Sequence, residues 1–412
     1  MHDVIRKSVG QRADLTFKHN KSLGRHGWLR LTPAYSVKLV KEIIEQFPSD
    51  VRLLDPFSGT ATTTLVAAEH GNDAVSYDIN PFLIWLGNVK CRSYSREQTE
   101  EEQVGVAEAV SRVPSRLNDP HWLPALFNIE RWWSTTTLKV LAALRAGLVE
   151  QFGEPATAGP GDLAWVAFCR LVIETSSAAF NHVSMSFASG TIHHEVEHVT
   201  DLYEQILTAI LQSCSPPLPG HGRVLEADAR NVAEGGERFG LVFTSPPYCN
   251  RMSYIRELRP YMYWLKFLEE AREAGEMDWK AIGGTWGIAT SRLIGWEPDS
   301  GDVDLPKQLI NVVKKIAATD TVNAGLLANY VFKYFHDMHL HLKTLPNALE
   351  QDAKLHYIVG NSTFFGHAVE TPALIIESMQ MLGYTNMASK IIRKRNSNKA
   401  LFEYDVSATW RG

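Results

Sequence analysis

Two adjacent prolines, Pro246 and Pro247, follow closely on the apolar run Phe239-Gly240-Leu241-Val242-Phe243 and fix where that run must stop. So short a run, apolar and rich in β-formers, predicts a buried strand. Neither proline has an N–H to give, so neither can extend a central strand or sit inside a helix. The chain must therefore leave the sheet in a rigid loop, Thr244-Ser245-Pro246-Pro247-Tyr248, with an aromatic ring directly behind fixed carbonyls. Such a loop suits a planar heterocycle bearing an amino group. Ser245 Oγ and the Pro246 carbonyl can accept hydrogen bonds from the amine, and Tyr248 can stack on the ring. A plain Pro-rich turn after a core strand is the competing reading.

A second segment, far upstream, bears on that choice. Val51-Arg52-Leu53-Leu54-Asp55 reads as a strand ending on an acid, and Pro56-Phe57-Ser58-Gly59-Thr60 as a small-residue turn. Thr62–Glu69 has helical character with Gly71 as its C-cap, and Asp73–Tyr77 makes a second strand closed by Asp78-Ile79-Asn80-Pro81. Strand, glycine turn, helix, strand and an acid about twenty positions on is the layout of a nucleotide-binding βαβ unit, the acid taking ribose hydroxyls. A pyrophosphate would call for more glycines; a cofactor without phosphate needs only one close backbone approach, at Gly59.

The Ser-Pro-Pro-Tyr loop resembles the catalytic motif of amino-methylating DNA methyltransferases, and Asp55-Pro56-Phe57-Ser58-Gly59 resembles their cofactor motif. The resemblance implies an α/β fold: a doubly wound, mostly parallel seven-stranded sheet with a reversed last strand, Rossmann-like, here carrying a helical inserted subdomain. It implies S-adenosylmethionine as cofactor and double-stranded DNA as substrate, with a cognate restriction endonuclease as a further partner. Ser245, Pro246, Pro247 and Tyr248 would be catalytic. Asp55, Pro56, Phe57, Ser58, Gly59, Thr60, Asp78, Ile79, Asn80, Asp228 and Thr244 would hold the cofactor. Pro33 joins them, in a helix over Thr32–Phe47 that closes on the methionine end in this family. Asp228, after the strand Arg223–Ala227, would face the adenine amino group. Ala61 stands where the family's next glycine is usual, which bears on cofactor affinity. The order of motifs, cofactor before catalytic, fixes the permutation.

Composition is consistent with that expectation. A chain of 412 residues, 45% of them apolar, can bury a sizeable core. There is no membrane span, and the polar, basic N-terminus lacks the apolar stretch of a signal peptide. Cys91, Cys169, Cys214 and Cys249 form no CxxC pair, which argues against a disulfide framework or a Cys-ligated metal and predicts a reducing, cytoplasmic setting. The net charge of −5 does not advertise a nucleic-acid binder, but charge is unevenly spread. Arg6, Lys7, Arg12, Lys18, Lys21, Arg25 and Arg30 crowd one end of the chain, and Lys390, Arg393, Lys394, Arg395 and Lys399 the other. Solvated surface is the bland reading of both.

Along the chain, residues 1–91 read as the N-terminal helix and cofactor half of the core. Residues 92–222 form a helical, aromatic insertion and the first candidate for target recognition. Residues 223–270 read as the catalytic half, with a helix over Tyr254–Glu270 that carries Arg256 and Arg259 near the loop. Arg251, Arg256 and Arg259 are candidate nucleic-acid contacts. Residues 271–319 read as an irregular, polar insertion and the rival recognition region. Residues 320–412 then close the core with a helix from Asn329 to about Leu345, a strand Leu355–Val359, a helix Thr371–Leu382 and a hairpin of Thr385–Arg393 with Ala400–Ser407.

One competing motif is His194-Glu195-Val196-Glu197-His198, which matches H-E-x-x-H. Glu197 puts a charge where a buried zinc helix is apolar, and no third ligand is obvious beyond His182 and His193. A polar helix face is the preferred reading, and no metal is expected.

The mechanism implied needs no covalent intermediate. A stacked base must be turned out of the duplex. Acceptors at Ser245 and Pro246 would then hold its N–H groups so that the nitrogen lone pair points at the methyl, catalysis coming from position and fixed dipoles. Cys249 is not expected to act as a nucleophile. In the resembling family the serine form of the loop goes mostly with cytosine N4 and the aspartate or asparagine form with adenine N6. N4-cytosine methylation is the expectation; adenine N6, an RNA base and an inactive DNA-binding relative stay open.

Overall fold

A computed structural model describes residues 9–29, 31, 34–155, 159–179, 186–187, 189–298, 304–395 and 400–412. Its centre is one seven-stranded sheet. In chain order the strands are β1 (Leu53–Asp55), β2 (Ala74–Asp78), β3 (Gly222–Glu226), β4 (Phe239–Thr244), β5 (Leu349–Gly360), β6 (Thr385–Lys394) and β7 (Phe402–Thr409). Their spatial order is β3-β2-β1-β4-β5-β7-β6. Every neighbouring pair from β3 to β5 is parallel, and only β7 runs against both its neighbours. This is the α/β methyltransferase sheet with its reversed last strand.

Period-two alternation sorts the strand residues onto two faces. Leu54, Val75, Val242, Leu355, Tyr357 and Val359 pack on one side, against Tyr334, Met338 and Leu342 of a long helix. Leu53, Ala74, Leu241, Phe243 and Ile358 pack on the other, against Val37, Val40 and Ile44. Both faces are covered, which is why β1, β4 and the second half of β5 are apolar almost throughout.

Short helical turns aside, the helices are α1 (Val37–Ile44), α2 (Thr62–His70), α3 (Pro81–Cys91), α4 (Arg96–Ser111), α5 (Thr135–Phe152), α6 (Asp162–Glu174), α7 (Val196–Gln212), α8 (Tyr254–Trp264), α9 (Ala271–Lys280), α10 (Ile288–Ile294), α11 (Lys307–Ala317), α12 (Ala324–Thr344) and α13 (Thr371–Met381). Local chemistry sets their ends. The Asn80 side chain accepts from Phe82 N at the start of α3, where Pro81 takes the first turn. Gly71 ends α2 at φ 94°, the left-handed geometry that glycine adopts freely. The α4–α7 block shares one core with the rest: Trp133, Phe168 and Tyr203 cluster with Phe82 of α3 and with Tyr261 and Trp264 of α8.

Several expectations shift. Residues 271–319 are not irregular: they hold α9, α10 and α11. Helix α8 stops at Trp264, six residues short of Glu270, and α1 begins at Val37. Strand β5 is longer than its apolar heart, starting at Leu349. Helix α7 begins at Val196 with Glu195 as its N-cap, so His194 precedes the helix. Among the described residues no cluster of His, Cys, Asp or Glu is placed to hold a metal. None of the described helices is long and apolar enough to cross a membrane.

Candidate active site

The sheet order places β1 between β2 and β4, and the chain turns away from β1 and β4 in opposite directions. That reversal opens a crevice beyond the carboxyl ends of the two strands, where α/β sheets bind ligands. The two sequence motifs occupy its two lips. Pro56, Phe57, Ser58, Gly59 and Thr60 line one cavity of about 690 Å³ together with Ser245, Pro246, Pro247 and Tyr248. Asp78, Ile79, Asn80 and Asp228 line the same cavity. Pro33 lies outside the described residues, though its neighbours Leu31, Ala34 and Tyr35 are in the wall.

Asp55 and Thr244 lie beneath the crevice and join its lips. Thr244 Oγ1 donates to Asp55 Oδ1 at 2.5 Å, and the same carboxylate accepts from Phe57 N and the Tyr35 hydroxyl, both at 3.0 Å. Tyr35 and Thr63 share a further short hydrogen bond. Asp55 is fully buried, and that burial raises its pKa against the opposing pull of Thr244 and its other donors. A buried carboxylate with this many donors fixes both loops in one arrangement.

On the cofactor side, Asp78 spends one oxygen on each of two backbone donors: Gly59 N at 3.0 Å and Asn80 N at 2.9 Å. Burial raises its pKa to about 6. Gly59 has φ +52° and meets only the Phe57 carbonyl, 3.9 Å from where a Cβ would stand, so the turn stays open. Ser58 Oγ is buried and has no hydrogen-bond partner in the described structure. Lys90 donates to the Thr60 carbonyl at 2.9 Å from beneath, its own pKa lowered to about 8 by burial. An orphaned hydroxyl, an open glycine turn and a carboxylate with lone pairs to spare fit a nucleoside-bearing group. Asp228 is held by Arg230, whose Nε donates to it at 2.9 Å, and Arg230 in turn reaches Asp337 at 3.3 Å.

On the loop side, Ser245 Oγ donates to the Ile358 carbonyl at 3.1 Å, which leaves its lone pairs to accept. The Pro247 carbonyl accepts from the Tyr334 hydroxyl at 2.7 Å. The Tyr248 hydroxyl donates to Glu403 Oε1 at 2.7 Å, and the Arg395 guanidinium stands 5.1 Å from its ring centre. Glu403 is itself held by Arg393 through two hydrogen bonds, at 2.7 and 2.9 Å. Cys249 is fully buried and burial pushes its thiol well up, which suppresses the thiolate.

None of the three candidate arginines lines the cavity, and one of them, Arg259, is engaged elsewhere. Arg259 lies between the rings of Trp132 and Trp286, 5.5 Å from each, with its Nε buried, so it is a packing cation and not an exposed phosphate contact. Arg251 is exposed, at φ 60°, and its N–H donates to the Tyr330 hydroxyl. Arg256 sits at the start of α8, its N–H donating to Ser253. Conversely, sequence reasoning missed Tyr35, Lys90 and Glu403. Only Glu403 left a trace: it pairs across the predicted hairpin with Arg393.

A doubly wound sheet in this order, with a small-residue turn after its first strand and a Ser-Pro-Pro-Tyr loop after its fourth, defines a protein of the methyltransferase class. The family profile described as D12 class N6 adenine-specific DNA methyltransferase matches residues 37–115. The type II methyltransferase M.BsoBI of Geobacillus stearothermophilus is 23% identical over 305 residues, covering 66% of this chain and 60% of that protein. The type II methyltransferase M.AvaI of a Nostoc species is 24% identical over 287 residues, covering 62% and 56%. The chain thus spans less than two thirds of the length of these relatives. The solved rRNA methyltransferase AviRa of Streptomyces viridochromogenes aligns over 92% of this chain and 86% of that one, at 12% identity and a TM-score of 0.27, too weak a likeness to bear on substrate. The chain is thus similar to amino-methylating DNA methyltransferases, over its cofactor side by the family profile and over about two thirds of its length by these relatives.

Proposed function

We infer that the chain transfers a methyl group from S-adenosylmethionine to the exocyclic N4 of a cytosine turned out of double-stranded DNA, at a specific site and alongside a cognate restriction endonuclease. One observation carries the reading: the Asp55–Thr60 turn and the Ser245–Tyr248 loop face each other across a single cavity and are tied beneath it by Thr244 and Asp55. S-adenosylmethionine supplies an electrophilic methyl on a sulfonium. Asp78 would hold its ribose hydroxyls, Ser58 and Gly59 would lie against it from the turn, and Asp228 would accept from its adenine.

The loop does the rest. Ser245 Oγ, its proton committed to Ile358, accepts one N–H of the base, and the Pro246 carbonyl accepts the other. Two acceptors on one amine draw its lone pair out of ring conjugation and aim it at the methyl. The Tyr248 ring, anchored through its hydroxyl, offers a stacking face to the extruded base. Preorganised acceptors and alignment would suffice for in-line transfer, the methyl–sulfur bond breaking as the methyl–nitrogen bond forms and the surplus proton of the amine leaving to solvent.

Adenine N6 is the second reading, and the matched family description favours it. That match covers residues 37–115, the cofactor side, and does not reach the loop that would hold the base. The serine in that loop favours cytosine. DNA from cells expressing the chain, digested to nucleosides and analysed by mass spectrometry, separates the two: N4-methylcytosine supports the first reading, N6-methyladenine the second, and neither overturns both.

A further inference from the structure

Described members of the two basic runs at opposite ends of the sequence line one cavity together. Lys394 N donates to the Gly10 carbonyl at 3.1 Å, which ties the end of β6 to the segment before Ala13. Arg12 and Lys18 from one run and Lys394 from the other line the same cavity, joined by Lys280 of α9. Lys18 and Lys280 are exposed and form no ion pair with any described residue, while Arg12 is held by Asp14 through two hydrogen bonds, at 2.8 and 2.7 Å, in an exposed pair of the kind that is worth little in water. Six cations line this cavity, Arg12, Lys18, Lys280, Arg393, Lys394 and Arg395, against four carboxylates, Asp78, Asp228, Asp278 and Glu403. Of those carboxylates Asp228 is paired with Arg230, which is not in the lining, and Glu403 with Arg393. The wall therefore carries an excess of positive charge in a chain whose net charge is −5.

A nucleotide turned into this cavity leaves its two flanking phosphates at the mouth. We propose that Arg12, Lys18, Lys280 and Lys394 form a cationic rim that grips those phosphates and holds the extruded nucleotide in register with the Ser245–Tyr248 loop. The assignment rests on the DNA reading above. The contacts are to backbone and carry no sequence information, so the rim positions and the recognition region elsewhere discriminates.

The test is the salt dependence of binding to a short fluorescent duplex carrying one mismatched cytosine, which is easily extruded. The full-length wild type is compared with Lys18→Ala, Lys280→Ala and the variant combining both with Arg12→Ala and Lys394→Ala. Each lost phosphate contact should flatten the slope of log K against log salt by about 0.9, so that a fourfold rise in salt weakens binding about 3.5-fold less per contact. Lys18→Arg should keep the wild-type slope, and the affinity for S-adenosylmethionine, read by calorimetry, should not move. An unchanged slope in the combined variant overturns the rim. So does a loss of cofactor affinity at constant slope, which would give these cations to the cofactor's carboxylate. A wild type with no salt-dependent binding to DNA, or with it only on single-stranded RNA, overturns the rim and the DNA reading together. A steep wild-type slope that flattens in the variants without any methyl transfer supports the rim and sinks the reaction.

Discussion

Thr244→Val removes one hydroxyl and almost nothing else, at the point where the two lips of the crevice are joined. The lost hydrogen bond, 2.5 Å to Asp55, is fully buried at both ends. A hydrogen bond to a charged group contributes about 1.5–3 kcal/mol, and here the carboxylate keeps Phe57 N and the Tyr35 hydroxyl but no water replaces the third donor. The variant should thus lose about 1.5–3 kcal/mol of unfolding free energy in urea near neutral pH. The sign with pH follows from Asp55. Its pKa is already raised by burial, and Thr244 is the strongest influence holding it down, so removing that donor raises it further. A carboxyl whose folded pKa lies above its unfolded value loses stability as pH rises through the interval between them. The penalty should therefore be largest at alkaline pH and shrink as pH falls into the ordinary carboxylate range, where Asp55 is protonated with or without Thr244. Urea titrations at several pH values measure it. A penalty below about 0.5 kcal/mol, the size of an ordinary surface substitution, or one that is the same at every pH, would show that the bridge does not hold the lips together.

Other expectations concern single positions. Tyr248→Ala should raise the KM for DNA about 5- to 150-fold, the equivalent of about 1–3 kcal/mol of base stacking, while Tyr248→Phe keeps the ring and loses mainly the hold of Glu403; equal effects from the two in steady-state kinetics would deny a stacking role. With Asp78 in its proposed role as acceptor of ribose hydroxyls, cofactor affinity should rise with pH through about 6 and then level off; Asp78→Asn should remove that pH dependence in calorimetry. The same group acts oppositely on the free protein: with its folded pKa raised to about 6 from an ordinary 3.8, it adds relative stability as pH falls between those values. Gly87→Ala should destabilise by about 1–3 kcal/mol, since a Cβ there would come within 2.5 Å of Val224 and 3.1 Å of Ala61, and cofactor binding should weaken with it; a thermal midpoint and cofactor affinity both unchanged would show that α3 has slack.

How much of this could be read from residues alone depends on how local the signal is. The strand before Pro246 and the helix ended by Gly71 are short-range events, and they stand within a residue or two of where the sequence put them. Ala61 is a local signal too: it replaces an expected glycine and adopts φ 57°, a left-handed conformation that an L-residue enters at a cost of about 1–2 kcal/mol. Helix α11 was missed although Leu309, Val313 and Ile316 recur at helical spacing, because the polar residues around it masked a narrow apolar stripe. Tyr35 and Lys90 carried no such pattern. Their roles come from partners 20 and 30 positions away, Asp55 and the Thr60 carbonyl, that only the folded sheet brings close. Arg259 misled for a related reason: a cation near the loop in sequence is held between two tryptophans from distant segments.

The most direct test of the central claim is transfer of labelled methyl from S-adenosylmethionine to unmethylated duplex DNA by the purified chain, followed by nucleoside mass spectrometry. Ser245→Ala and Tyr248→Ala are run beside the wild type, with cofactor binding measured on all three. The proposed reading predicts N4-methylcytosine from the wild type and a loss of about 100- to 1,000-fold in rate for Ser245→Ala, the range seen when a preorganised polar group is removed from a reacting centre, with the cofactor still bound. Label in N6-methyladenine would keep the loop's role and change the base. No methylated nucleoside from a wild type that binds the cofactor would contradict the account.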